Sequence, residues 1–228
     1  MKLLVGGILA LDDLKTPHAS GKAIVGGGGI YSSVAASFFT RPGLVGPAGI
    51  DFPPHTLAAL RERGVALDGV PRLAERSFHW SGEYRDDMAQ AITHQTRVEI
   101  LEAFNWGVPA EWRQPTGLLL CNNDPSIQLR LLEQVQAGWV AADSMNLWIK
   151  TEPKALSDVM RRVDMAILND QEVRLIADDA NLIRAAESIR SGDALVEPEG
   201  WSPADGHPGT GPDYLVVKKG ENGVIAFT

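Results

Sequence analysis

The sequence predicts an α/β fold, a mostly parallel central sheet flanked by helices, with a small β lid-like appendage. Three observations carry this. From Gly117 to Arg190 short apolar runs alternate with amphipathic helical stretches, the pattern of repeated βαβ units. Four successive glycines, Gly26 to Gly29, open directly onto a helical pattern and mark a strand-to-helix turn. Between Leu73 and Asn105 the period changes to two, which sets a separate patch of half-exposed strands apart from the main sheet.

In chain order, Lys2 to Val5 reads as a buried first strand, which Ile8 to Asp13 is expected to continue. Acidic residues just past a strand's carboxyl end lie where open α/β sheets bind ligands, although two adjacent aspartates also suit a solvated turn. Thr16 to Lys22 is a polar excursion. The helix after the glycines has Val34, Ala35 and Phe38 as its expected apolar side. Its N-terminus suits an anion or a polar ligand, or is simply a tight turn. Gly43 to Asp51 gives a second short strand and a glycine-punctuated loop, and Pro53 and Pro54 open the helix Thr56 to Arg63, which Gly64 stops.

Ser77 to Glu83 and Thr96 to Leu101 read as half-exposed strands. Strands then follow at Gly117–Cys121, Trp139–Asp143 and Asp164–Leu168, with helices at Ser126–Gln136 and Glu152–Arg161 and two between Asp170 and Arg190. From Gly192 to Asp213, nine of twenty-two residues are Gly or Pro and none is Lys or Arg, which predicts an exposed, mobile loop insertion. Tyr214 to Lys218 returns to a strand, and Gly220 to Gly223 turns it into a hairpin with Val224 to Phe227.

Composition narrows the function. With 228 residues, 44% of them hydrophobic and 22% charged, the chain can bury a core. A net charge of −8 without clustered Lys and Arg argues against nucleic-acid and anionic-membrane surfaces. Cys121 is the only cysteine, so an intramolecular disulfide and a multi-cysteine metal site are excluded. No signal h-region or long apolar run occurs, and a cytoplasmic location is expected. His18, His55, His79, His94 and His207 are scattered and read as surface or packing residues, and Ser32, Ser33 and Cys121 lack a nucleophile signature.

Five short patterns fall in a distinctive order: Gly7-x4-Asp12, Gly26-Gly27-x8-Ala36, Val45-Gly46-x2-Gly49-x-Asp51, Asn169-x2-Glu172 and Val216-Val217-Lys218-Lys219-Gly220-x2-Gly223. Together they make the chain resemble the ribokinase-like PfkB family of carbohydrate kinases along essentially its whole length. The resemblance implies a ribokinase-like fold and phosphorylation of a hydroxyl of a sugar or related small molecule by ATP and Mg2+. It implies that Asp12 holds substrate hydroxyls and that Gly26 and Gly27 line the substrate site as a hinge. Tyr31 stands where the family usually has Asn, so one hydroxyl contact is lost or replaced by an aromatic face and the sugar or nucleoside accepted is open. Asn169, Glu172, Lys218, Gly220 and Gly223 fall on the Mg-nucleotide side, with Glu172 meeting the metal through water. The lid is expected from about residues 16–22 and 73–105 of a single domain spanning 1–228, and aromatic Phe78, Trp80 and Tyr84 suggest a homodimer through it.

The family's Gly-Ala-Gly-Asp signature, which supplies the anion hole and the catalytic base, is not found after Val224–Phe227, so the chain is expected to lack that segment and to turn over little. The stretch Asp205 to Asp213 is a poor substitute: it precedes the Lys218 strand, and Pro212 breaks the spacing. Two other readings stand beside a kinase. One is a non-catalytic sugar- or nucleotide-binding protein. The other is a dinucleotide-binding enzyme, although its fingerprint should directly follow the first strand.

Overall fold

The computed structural model describes residues 1–85, 91–202 and 209–228. The chain divides into two compact units, Met1–Trp112 and Arg113–Thr228.

The first unit opens with β1 (Leu3–Gly6), then β2 (Ala10–Lys15), β3 (Ser20–Gly26) and α1 (Gly28–Ser37). There follow β4 (Gly43–Val45), α2 (Pro54–Glu62), β5 (Ala66–Gly69), β6 (Phe78–Tyr84), β7 (Ala91–Arg97) and α3 (Glu99–Ala103). Strands β1, β4 and β5 pair in parallel, with Leu4 opposite Gly43 and Val45 opposite Gly69. Leu4, Val5, Leu44 and Val45 are fully buried there, as continuous apolar runs in a covered parallel sheet should be. A separate four-stranded sheet runs in the order β3-β2-β6-β7.

Several expectations change in this unit. Residues 2–13 do not form one strand. The chain leaves β1 at Gly6, crosses Gly7–Leu9 and enters the four-stranded sheet as β2, so Asp12 lies within a strand rather than past the end of the first one. The small sheet therefore begins at Ala10, and only Thr16–Ala19 is a turn, closed by the Thr16 N–H to the Ala19 carbonyl at 2.8 Å. On α1 the buried residues are Gly29, Ile30 and Ser33; Phe38 is the C-cap, 72% exposed, with the Arg63 guanidinium 5.5 Å over its ring. Thr96–Leu101 is not a strand throughout: β7 stops at Arg97, and α3 buries Ile100 and Leu101. Strand β5 buries Leu67 and Gly69 and exposes Asp68; only four residues long, it escaped the sequence reading.

The second unit contains β8 (Gly117–Leu120), α4 (Pro125–Gln134), β9 (Trp139–Ala142), α5 (Asn146–Thr151) and α6 (Pro153–Met160). It continues with β10 (Met165–Asn169), α7 (Asp170–Ala177), α8 (Leu182–Ser191), β11 (Tyr214–Lys218) and β12 (Val224–Phe227). Its sheet order is β8-β9-β10-β11-β12, all parallel except the last pair. Leu168, Val173, Ile189, Leu215 and Val217 form a core with no exposure above zero. Helix starts are capped as their sequences ask: Asp124 accepts from Ser126 N–H ahead of Pro125, and Asn181 accepts from Ile183 and Arg184.

The loop insertion is not the free excursion expected. Leu195 is buried, the Val196 N–H donates to Ser157 Oγ at 2.9 Å, and Arg161 donates to the carbonyls of Leu195 and Val196. At its far end Gly211 and Pro212 are buried and the Gly211 N–H donates to the Arg190 carbonyl at 2.9 Å. Asp205 to Pro208, with His207, lie outside the described residues. Among the described residues, no helix is long and apolar enough to cross a membrane.

Candidate functional site

Two clusters of sequence-predicted residues form, one in each unit. In the first, the β2 register sorts the two adjacent aspartates. Leu11 pairs with His79 and Asp12 with Trp80 in parallel register, so Asp12 and Asp13 project from opposite faces. Asp13 serves the fold. Its carboxylate accepts from the Ala23 N–H at 2.8 Å, which holds Ala23 at φ 51, and lies 3.5 Å from His79 Nε2. The Ala23 N–H, ahead of His79 and Lys22, draws the Asp13 pKa down. A register shift between Asp12 and Leu14 accompanies this tie.

Asp12 lies on the other face, beside Gly26. A Cβ built on Gly26 would fall inside the Asp12 carboxylate, so the missing side chain is what makes room for it. Burial pushes the Asp12 pKa up to about 6, against the pull of the Trp80 N–H and His79, while Asp13 pushes the same way as burial. Gly27, at φ 93, turns the chain from β3 into α1, and a Cβ there would fall on the Ile8 carbonyl oxygen. The expected anion site at this helix start is largely used up internally: the Gly29 N–H donates to Ile8 O at 3.0 Å, and the Ile30 and Tyr31 N–H groups donate to Gly27 O. Tyr31 is 63% exposed, with its hydroxyl donating to the Val25 carbonyl at 3.4 Å. The structure thus gathers Asp12, Gly26, Gly27 and Tyr31 in one region of the first unit.

Asp51 has a different task from these. It accepts from the Ser77 N–H at 2.7 Å and Arg76 Nε at 3.0 Å, and the Gly49 N–H donates to Ser77 Oγ at 3.2 Å. Burial raises its pKa, but Ser77 and Arg76 outweigh that and the net is downward. The glycine-punctuated loop therefore anchors the start of β6.

In the second unit, Asn169 and Glu172 close a capping box. Asn169 Oδ1 accepts from the Glu172 N–H at 2.8 Å, and Glu172 Oε2 accepts from the Asn169 N–H at 2.7 Å. Glu172 is nevertheless 6% exposed, and burial pushes its pKa up to about 7; the Asn169 N–H and Lys218 oppose this, while Asp143 and Asp170 add to it. Lys218 Nζ lies 3.2 Å from Asp143 Oδ1, and the Asp143 pKa is raised by burial against the pull of Lys218. Asp143, Glu172 and Lys218 thus share one site at the carboxyl ends of β9, β10 and β11. The sequence offers Asp143 only as a fallback base beside Asp12 and Asp13, not as a nucleotide-side residue, although an acidic residue at a strand end was the signal. Gly220 and Gly223, at φ 57 and 81, form the turn after β11, where the Lys219 N–H donates to Gly223 O at 2.8 Å.

The residues present offer a cation few direct ligands. Glu172 keeps one oxygen outside its capping bond, but no group of three or more His, Cys, Asp or Glu that could hold a metal ion occurs among the described residues. A magnesium ion would therefore take most of its ligands from water and phosphate, as this ion commonly does.

No family model and no curated protein matches the chain. Solved structures do. A provisionally assigned ribokinase II of E. coli in complex with ATP and Mg2+ aligns over 100% of this chain and 75% of its own, at 14% identity and TM-score 0.72. A nucleoside kinase of Burkholderia thailandensis in complex with inosine covers 99% and 72%, at 16% identity and TM-score 0.67. A PfkB protein from Polaromonas sp. JS666 covers 99% and 79%, at 16% identity and TM-score 0.68. The chain adopts the ribokinase-like α/β fold.

Proposed function

We propose that this protein is a carbohydrate- or nucleoside-kinase-like phosphotransferase, using ATP to phosphorylate a hydroxyl of a small polyol in the cytoplasm. The observation that carries the reading is Asp12, a half-buried carboxylate given room by the side-chain-free Gly26 in a chain of this fold. A carboxylate accepts from neighbouring hydroxyls, which is what polyol recognition requires. Tyr31 borders this acceptor site, and Gly27 fixes the turn beneath it. On the donor side, Lys218 would meet nucleotide phosphates, Gly220 and Gly223 would let the nucleotide approach the turn, and Glu172 with Asn169 would face the hydrated cation. Bound Mg2+ would neutralise phosphate charge.

A hydroxyl must lose its proton to be phosphorylated. The Gly-Ala-Gly-Asp sequence does not occur within residues 1–228, so the group that would take this proton is left to be identified by the turnover assay below. The four-stranded sheet would also serve as a homodimer contact, to be checked by sedimentation at micromolar concentration.

Calorimetry with ATP and Mg2+ and with ribose, fructose and inosine tests the reading, alongside a coupled assay for ADP release. Saturable binding of ATP and of at least one acceptor, the latter weakened in Asp12→Asn, supports it. Failure to bind any acceptor removes it. Brisk turnover lost in Asp12→Asn would make Asp12 the base, a role that a pKa of about 6 suits.

A further inference from the structure

The face of the four-stranded sheet that carries Asp12 also carries a laid-down indole. Asp12 and Trp80 pair directly in parallel register, and Gly82 and Tyr84 follow Trp80 on the same side of β6. A Cβ on Gly82 would stand 2.6 Å from Trp80 Cη2, so the ring lies along its own strand in the space that Gly82 leaves empty. Its far edge is fixed by the Nε1–H, which donates to Thr93 Oγ1 at 3.0 Å on β7. Tyr84 stands at the other side, its ring centroid 6.3 Å away and tilted by 60°. Strand β6 starts from the Asp51–Ser77 anchor, so the register that sets Trp80 beside Asp12 is itself tied down.

The opposite face has another character. Asp13 and Lys15 on β2 share it with His79 and Glu83 on β6, and Lys15 Nζ pairs with Glu83 Oε2 at 3.3 Å. One side of the sheet is a charged mat. The other has a flat aromatic surface next to one carboxylate, Trp80 and Asp12 both half-buried.

We infer that Trp80 is a specificity-determining residue: it receives the apolar face of a hydroxylated ring while Asp12 accepts from a hydroxyl of the same ligand. The inference rests on the acceptor reading above. A sugar ring or a nucleoside offers both parts at once, C–H bonds or a heteroaromatic plane on one side and hydroxyls at the edge. An open-chain polyol offers hydroxyls without a rigid apolar face, so the indole favours the cyclic form. Fixing the ring in advance through Gly82 and Thr93 removes the ordering cost that a free side chain would bring to binding.

The test compares ribose and inosine with open-chain ribitol by calorimetry, using wild type, Asp12→Asn, Trp80→Phe, Trp80→Leu and Trp80→Ala. Trp80→Ala is expected to weaken ring ligands about tenfold, a typical aromatic contribution, and to change ribitol little. Trp80→Phe keeps a ring and should recover most of the preference. Trp80→Leu fills the space without a π face, so it should behave like alanine towards ring ligands even if the alanine variant is poorly folded by circular dichroism. Equal loss for ribose and ribitol, or an unchanged ring preference in Trp80→Leu, overturns the inference. Unchanged affinity in folded Asp12→Asn, or no binding of any probe, overturns the acceptor reading and this inference with it. A loss in Asp12→Asn together with no effect at Trp80 overturns this inference alone.

Discussion

Asp12 and Glu172 are both carboxylates pushed upward by burial, yet their surroundings are built on different plans. The groups acting on Asp12 are a backbone N–H, a histidine and a like-charged neighbour. Glu172 sits with a lysine and two further carboxylates, Asp143 and Asp170, in a cluster of mixed charge. The first arrangement suits a neutral ligand that donates hydrogen bonds and brings no counter-charge. The second suits a ligand that arrives as an anion with its own cation. The same direction of shift thus accompanies two recognition chemistries, and the neighbouring charge decides which.

The largest effect on this contrast should come from the backbone beneath the acceptor side. Gly27→Ala places a side chain on the Ile8 carbonyl at a positive φ, and should destabilise the protein by about 2–4 kcal/mol in urea unfolding. A variant within about 0.5 kcal/mol of wild type would mean the turn relaxes freely and does not fix the Asp12 region.

Next in size is Asp12→Asn. Losing a hydrogen bond to a charged group should weaken acceptor binding by roughly 1.5–3 kcal/mol in calorimetry while ATP affinity holds. Parallel losses for both ligands would erase the distinction between the two clusters.

Glu172→Gln sharpens it through pH. A folded pKa of about 7, against an ordinary 4.5, means the native protein keeps a proton that the unfolded chain has lost. The stability tied to this group is therefore fully present below about pH 4.5, declines as pH rises through about 7, and is level above. Glutamine can still accept from the Asn169 N–H, so the variant should match or exceed wild-type stability at pH 8 and lose that part of the slope. Denaturant titrations from pH 4.5 to 8 read this directly, and an undiminished slope would show the carboxyl in its ordinary state.

The smallest effect is expected at Lys218→Met. The Lys218–Asp143 pair is partly exposed and worth under about 1 kcal/mol to the fold, so melting should barely change while ATP affinity falls. A large drop in stability with unchanged ATP affinity would make the pair structural.

How far all this could be read from sequence depended on distance along the chain. The Asn169–Glu172 box is an i, i+3 device, and the Gly26–Gly27 turn announces itself in adjacent residues. The fate of Asp12 does not. Ile8 to Leu11 is apolar without interruption, so nothing local marks the passage from one sheet to another, and only pairing with β6 separates Asp12 from Asp13. Asp143 and Lys218 meet across 75 residues. Ile100 and Leu101 show the familiar ambiguity of a short apolar run, which packing resolved as a helix.

The Lys218–Asp143 contact has a consequence for the thermodynamics of ligand uptake. Phosphate oxygens that attract Lys218 take away the cation that now lowers the Asp143 pKa, and the relieved carboxylate becomes more basic. In the proposed nucleotide site, phosphate held by Lys218 would thus move the Asp143 titration to higher pH, and the pH dependence of metal-free ATP binding should differ between wild type and Asp143→Asn. Magnesium supplied with the nucleotide would offer that carboxylate a cation in place of the proton, and the difference should shrink.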